Sequence, residues 1–473
     1  MLFNSYDFLF LFLPLALTGL YLLALNGHLR MAVWWTGLAS VAFYAISSLS
    51  FTWLLLGSVL ANYTIGLRIV DAANSPAHAA ARKLWLAAGV TANLAVLCYF
   101  KYQNFFIGEI APGWSASFGH VALPAGISFY TFTQIGFLVD AGRGHASRYR
   151  FADYLLFVTF FPHLIAGPIL NHKKIVPQLE SRDFGRPDAA TVYAAFMFFS
   201  IGLFKKVVIA DSLAPLVQPL FLADARLGFF EAWGAALLYA FQLYYDFSGY
   251  SEMAVGLALL MNVRIPINFD SPYKATSIID FWRRWHISLS EFLRDYLYIP
   301  LGGNRHGTPR RYLNLLATMI LGGLWHGAGW TFLAWGALHG VCLAINHAWR
   351  ATGLRLVKPL AWLLTTIVVL VAWVFFRAPD MPTALRILKA MANWRELVSL
   401  DKLVLTPTVF IPDPATTLAW IAALGIWVLV APNTQQLALA PRPRLSLAFA
   451  CAVMMAGAVM AFDRATEYLY FRF

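Results

Sequence analysis

The residue best placed to do chemistry is His326, in the run Gly322-Gly323-Leu324-Trp325-His326-Gly327-Ala328-Gly329-Trp330. It follows the apolar stretch Leu313 to Leu324. An ionisable side chain embedded in such sequence costs roughly 2.5 to 3.5 kcal/mol on insertion scales, which makes it a functional hypothesis by default. Histidine ionises nearest neutral pH and is the side chain best suited to take a proton from a hydroxyl. The flanking glycines permit a break in the helix and the close approach of a ligand. A buried, hydrogen-bonded structural histidine would show the same pattern, and these residues alone leave both readings open.

His339 follows on the next apolar run, roughly 20 Å away along an unbroken helix. The two histidines reach one reacting atom only if the chain turns near Gly327 to Gly329, which would make His339 a second catalytic residue. Otherwise it lines the same path or braces a neighbouring helix. His286, beside Arg283 and Arg284, reads as structural or as a contact to a donor substrate. Asp246, in Tyr244-Tyr245-Asp246-Phe247-Ser248-Gly249-Tyr250, is the most interesting embedded acid, because the residues after it would let the segment bend. It could equally be a helix cap or the partner of an arginine. Asp211, after Lys205-Lys206, and Asp140 are further acids in apolar surroundings. No Gly-rich phosphate loop, metal-ligand spacing or Ser-His-Asp arrangement is recognisable, so neither a metal nor a permanently bound cofactor is expected. Cys98, Cys342 and Cys451 lie in apolar stretches and read as small packing residues.

The elements that must position these residues are membrane helices. The chain is 60% hydrophobic and 12% charged over 473 residues, against about 45 to 50% and about 25% for an average soluble domain. Crossing a bilayer takes roughly 20 apolar residues. Candidate spans lie near Phe8 to Leu25, Met31 to Ile46, Phe51 to Ile69, Leu84 to Phe100, Leu123 to Val139, Tyr154 to Leu170, Val192 to Ile209 and Ala232 to Tyr245. Others follow near Glu252 to Asn262, Tyr312 to Leu324, Thr331 to Ala348, Pro359 to Phe376, Thr417 to Val430 and Leu445 to Phe462. Several are short, which points to re-entrant structure around residues 245 to 330, tolerated only where protein or a water-filled cavity satisfies the backbone. The first span has no basic residue before it and reads as retained, with Met1 outside and Arg30 in the cytoplasm. The net charge of +12 sits in short connections between spans, so topology explains it better than nucleic-acid binding.

From Ser277 to Tyr298, Phe281, Trp282, Trp285, Leu289, Phe292, Leu293 and Tyr296 share one helical face, while Asp280, Arg283, Arg284, Ser288, Glu291, Arg294 and Asp295 share the other. This predicts one amphipathic helix with too many charges to span, lying in an interface or lining a polar cavity. No internal repeat or soluble domain is visible, and one membrane domain is expected to fill residues 1–473.

Several stretches together resemble a known family. They are Leu123-Pro124-Ala125-Gly126-Ile127-Ser128-Phe129-Tyr130, Phe161-Pro162-His163-Leu164-Ile165-Ala166-Gly167-Pro168, Tyr245-Asp246-Phe247-Ser248-Gly249-Tyr250-Ser251, Phe281-Trp282-Arg283-Arg284-Trp285-His286-Ile287-Ser288, Leu293-Arg294-Asp295-Tyr296-Leu297-Tyr298-Ile299-Pro300-Leu301-Gly302-Gly303-Asn304 and Gly323-Leu324-Trp325-His326-Gly327-Ala328. In this order they resemble membrane-bound O-acyltransferases, most closely the branch that acetylates alginate, peptidoglycan and cellulose. The likeness runs from Met1-Leu2-Phe3-Asn4-Ser5 to the terminal Tyr470-Phe471-Arg472-Phe473, is strongest over residues 123–345, and weakens after Arg377.

The resemblance implies an all-α polytopic helical bundle around a transmembrane tunnel, with re-entrant and interfacial helices, in the bacterial inner membrane. It places the family's histidine at His326, a second at His339, and Trp325 and Asp246 along the tunnel. It implies transfer of an acetyl group from a cytoplasmic thioester, acetyl-CoA, to a cell-surface polysaccharide. Arg283, Arg284 and Arg294 fall at the cytoplasmic mouth, where guanidinium chemistry suits the donor's phosphates. Acyl transfer needs a base and a dipolar site for the developing oxyanion. His326 could be the base, and the backbone at Gly327 and Gly329 or the Trp325 indole could serve the oxyanion. A covalent acetyl-histidine relay stays open. No serine-hydrolase-like domain is present, so a separate periplasmic SGNH-like acetyltransferase partner is expected, alongside the polysaccharide acceptor and membrane lipids. A transporter or flippase, or a scaffold of a polysaccharide export system, are the rival readings.

Overall fold

The computed structural model describes residues 1–73, 76–109, 119, 121–222, 227–398, 413–440, 444–464 and 468–469. The terminal Tyr470-Phe471-Arg472-Phe473 lies outside them. Among the described residues every regular element is helical and none is a strand. Six helices there are long and apolar enough to cross a membrane: Asp7–Leu25, Leu29–Ser47, Leu49–Ala73, Ala79–Glu109, Ala189–Phe221 and Lys358–Arg377. Leu22, Trp53, Leu84 and Leu363 on these helices are exposed, a surface suited to lipid rather than water. The protein is a polytopic all-α membrane protein.

Two compact units make up the chain, neither continuous in sequence. The first comprises Met1–Leu203, Tyr250–Ile267 and Thr434–Asp463. Between lipid-embedded helices there is little hydrophobic drive, so association leans on close packing and interhelical hydrogen bonds. Both are visible in this unit. Asn93 donates to Asn62 at 2.6 Å and Gln134 donates to Ser58 at 2.9 Å. Gly66 packs where any Cβ would run into the Phe137 ring. Asp140 is buried and accepts from His172 Nε2 at 3.2 Å, while the Tyr149 hydroxyl lies 2.9 Å from His172 Nδ1 and Lys173 Nζ 2.9 Å from the Asp140 carboxylate. The acid is therefore a structural hub of this unit.

The expected span from Tyr154 to Leu170 is not one helix. It is Phe151–Thr159 and then Phe161–Leu164, with Phe160 out of helical geometry at ψ 105°. Pro162 has no N–H to donate to the carbonyl four residues back, so the ladder is interrupted, and Phe160 turns the chain.

The second unit comprises Phe204–Gly249, Asn268–Asn433 and Arg464–Phe473. Its core is unusually aromatic, with Tyr239, Phe281, Trp282, Trp285, Trp335, Trp373 and Phe376 all buried. The hairpin of Gly307–His326 and Trp330–Ala351 carries His326 and His339. A Cβ on Gly336 would meet the Met319 carbonyl, with Ile320 Cα only 2.9 Å away, and one on Gly340 would lie 2.9 Å from Leu316 Cα. Small residues at these points let the two backbones touch.

Two further expectations are corrected in this region. Ala232 to Tyr245 and Glu252 to Asn262 are parts of a single helix, Phe229–Leu260, so Asp246 sits within a helix and the chain does not bend after it. One interior Gly costs only about 1 kcal/mol, and flanking aromatic burial outweighs that. Ser277 to Tyr298 is likewise not one helix but Ile278–Arg284, Ile287–Leu293 and a π-helical turn Arg294–Tyr298. The break is His286, at φ 43°. The apolar face survives the break, since Phe281, Trp282, Trp285, Leu289, Phe292 and Leu293 are all buried, but Ser288 from the polar face is buried with them.

Candidate active site

His326 is the last residue of Gly307–His326, and its side chain is 4% exposed. The chain then runs extended through Gly327 and Gly329 into the next helix. Gly327 is required by internal packing, because a Cβ there would collide with the Phe332 ring. Its N–H is committed to the Gly323 carbonyl at 3.3 Å, which removes it from the expected oxyanion donors.

Aromatic rings enclose His326. Ring centroids lie 4.9 Å away at Trp325, 5.0 Å at Trp335, 5.1 Å at Phe376 and 6.4 Å at His286. In such a setting water is excluded and the few polar contacts act at low dielectric.

His286 belongs to this cluster, which its sequence context did not reveal. It is 0% exposed and packs edge-on to Phe247 at 4.8 Å. A left-handed conformation at a non-glycine costs about 1 to 3 kcal/mol and persists only when neighbours impose it. Asn268 does so here. Its carbonyl accepts from Ile287 N–H at 3.0 Å, and its Oδ1 accepts from Ser288 N–H at 3.1 Å and Ser288 Oγ at 2.6 Å.

His339 is 0% exposed and lies one ring beyond, 4.8 Å from Trp335 and stacked on Phe281 at 6.1 Å. The turn at Gly327 to Gly329 thus brings His326 and His339 into ring contact with the same Trp335 indole. Trp282 donates its indole N–H to His339 Nδ1 at 3.2 Å.

Asp246 is buried, and its partner is a lysine rather than an arginine. Lys206 Nζ lies 2.7 Å from Asp246 Oδ1 and 2.7 Å from Asp211 Oδ1, with the Tyr468 ring 4.7 Å from the ammonium. Leu469 N–H donates to Asp246 Oδ2 at 3.1 Å. Lys206 falls in a π-helical stretch, Lys205–Ala210, a local widening that often marks functional positions. Lys205-Lys206 preceding Asp211 was the available sequence signal, but the reach to Asp246 is long-range.

The three arginines differ in how far they are engaged. Arg284 pairs with Asp280 at 2.9 Å and donates to the Asp270 carbonyl at 3.1 Å. Arg294 makes two bonds to Asp295, at 2.7 and 3.1 Å, which hold its pKa above the usual value. Arg283 is exposed and makes no ion pair among the described residues. Among the described residues no group of three or more His, Cys, Asp or Glu side chains is placed to hold a metal ion.

The fold is that of a polytopic helical membrane protein with His326 enclosed by aromatic rings at a helix end, and comparison with known proteins shows its family. Residues 137–379 match the model of the membrane-bound O-acyltransferase family. The chain is 42% identical over 425 residues to a peptidoglycan O-acetyltransferase of Helicobacter pylori, covering 83% of this chain and 80% of that protein. It is 46% identical over 418 residues to a probable alginate O-acetylase AlgI of Azotobacter vinelandii, covering 86% and 81%. A teichoic acid D-alanyltransferase of Streptococcus thermophilus is 31% identical over 237 residues, 47% of this chain and 57% of that one. The chain belongs to the membrane-bound O-acyltransferase family. It is a multi-pass membrane acyltransferase, and the transporter and scaffold readings are set aside.

Proposed function

We propose that this protein is an O-acetyltransferase of the bacterial inner membrane that takes acetyl groups from a cytoplasmic thioester, acetyl-CoA, and passes them through a tunnel towards a cell-surface polysaccharide such as alginate or peptidoglycan. The observation that carries the reading is His326, held at a helix end inside an aromatic enclosure, in a chain whose relatives at 42 and 46% identity are named as O-acetylating enzymes.

In this reading His326 removes the proton of an attacking hydroxyl and returns it to the departing thiolate. The surrounding rings keep water, the competing nucleophile, away from the thioester. Arg283, with Arg284 and Arg294, meets the phosphates of the donor. Trp325 lines the acyl path. Asp246 supports it from behind, through Phe247 and His286. A separate periplasmic SGNH-like acetyltransferase completes delivery to the polymer.

The test uses purified full-length protein with radiolabelled acetyl-CoA, in wild-type and His326→Ala forms, following thioester loss and label transfer with and without candidate acceptors. Wild-type turnover that vanishes in a folded variant is expected. Turnover unchanged in His326→Ala would overturn the assignment.

A further inference from the structure

Trp335 and His339 stand one turn apart on the Trp330–Ala351 helix and therefore share a face. Trp335 is 1% exposed and His339 is 0% exposed. An indole N–H can only donate, so the bond from Trp282 to His339 Nδ1, at 3.2 Å, requires the lone pair to be on Nδ1. The neutral ring then carries its proton on Nε2. Among the described residues that Nε2–H has no hydrogen-bond partner, and neither has the indole N–H of Trp335.

A buried donor left without an acceptor costs about 1 to 3 kcal/mol, and folded proteins leave few of them. Two such donors on one helical face, the nearer ring 5.0 Å from the His326 ring, call for an acceptor that none of the described residues supplies. Acyl transfer provides one, because a carbonyl oxygen gains negative charge as the hydroxyl attacks.

We infer that the Trp335 indole N–H and the His339 Nε2–H are the donors that receive the acyl oxygen, which makes both of them catalytic residues while His326 handles the proton. The inference rests on the acetyl-transfer reading above. The hydroxyl oxygen bonds to the carbonyl carbon, its proton passes to His326, and the carbonyl electron pair moves onto the oxygen held by the two N–H groups. When that pair returns, the carbon–sulfur bond breaks and the thiolate takes the proton from His326, leaving an ester and a free thiol. His339 is excluded as a second base in this arrangement. Its one lone pair is spent on Trp282, and its other nitrogen already carries a proton.

The experiment compares wild type, His339→Leu, His339→Gln and Trp335→Phe in full-length detergent-purified protein, with acetyl-CoA as donor. Losing one oxyanion donor elsewhere costs about 100- to 1,000-fold in kcat. His339→Leu should fall in that range while KM for acetyl-CoA stays within about threefold, because the missing bond forms only in the transition state. His339→Gln can accept from Trp282 and still present an N–H, and should recover most of the loss. Trp335→Phe keeps a ring in place and should lose kcat as His339→Leu does. The lower pH–rate limb, set by His326, should not move in any of them. A folded His339→Leu or Trp335→Phe with wild-type kcat would overturn the inference while leaving His326 in place. Should His339→Leu fail to fold, the kcat of Trp335→Phe decides. Wild-type protein that does not use acetyl-CoA at all would instead overturn the function proposed above, and this inference with it.

Discussion

Lys206 bridges two carboxylates: its ammonium lies 2.7 Å from Asp246 on one side and 2.7 Å from Asp211 on the other. Asp246 is next in sequence to Phe247, whose ring contacts His286 at 4.8 Å, and His286 faces His326. The ion network is thus buried and linked through Phe247 to the ring cluster of His286 and His326.

Replacing Lys206 with Met would leave two acids buried without their common cation. Breaking a buried pair from one side typically costs about 3 to 5 kcal/mol. Lys206→Met should therefore unfold at a clearly lower temperature in detergent, whereas Lys206→Met combined with Asp211→Asn and Asp246→Asn should regain stability, because the uncompensated charge is gone. A single variant as stable as wild type would show that the network is solvated.

Arg283 makes no ion pair among the described residues, while Arg294 is held by Asp295 and Arg284 by Asp280, so under the proposed function Arg283 is the arginine that meets the donor's phosphates. Arg283→Ala should raise KM for acetyl-CoA several-fold, corresponding to the loss of about 1 kcal/mol from an exposed charge-assisted contact, with kcat little changed. Arg294→Ala should do less. Steady-state kinetics over a range of salt checks both, since screening should shrink the difference. Equal effects at the two positions would argue for a diffuse positive mouth instead.

Gly336 lies where the two arms of the histidine hairpin touch, and an added methyl would meet the Met319 carbonyl. Gly336→Ala should push the arms apart at an overpacking cost of about 1 to 3 kcal/mol and displace Trp335 from His326. Activity should fall more than folded yield. Gly353, outside the hairpin contact with nothing near its hypothetical Cβ but at φ +77°, is a backbone control: Gly353→Ala should cost stability without a disproportionate loss of activity.

Much of this protein was legible from the chain alone. Long apolar runs must become helices in lipid, because unpaired backbone groups are intolerable there. That constraint is local, which is why Asp7–Leu25, Leu29–Ser47, Leu49–Ala73 and Lys358–Arg377 lie where composition places them. His326 stood out for a similar reason, as a titratable group in sequence with no other polar purpose. The apolar face of residues 277–298 was readable from its period.

Tertiary structure decided what the period could not. His286 breaks its helix without a glycine or proline because Asn268, distant in sequence, holds the bend. Asp246 stays in a helix despite Ser248 and Gly249, since aromatic burial outweighs their weak local preferences. Its partnership with Lys206, and the contact of Trp335 with both His326 and His339, depend on which helices meet. Hydrogen bonds and ring contacts between segments far apart in the chain carry no signature in either segment, so only the folded molecule determines which donors are satisfied and which are left for a substrate.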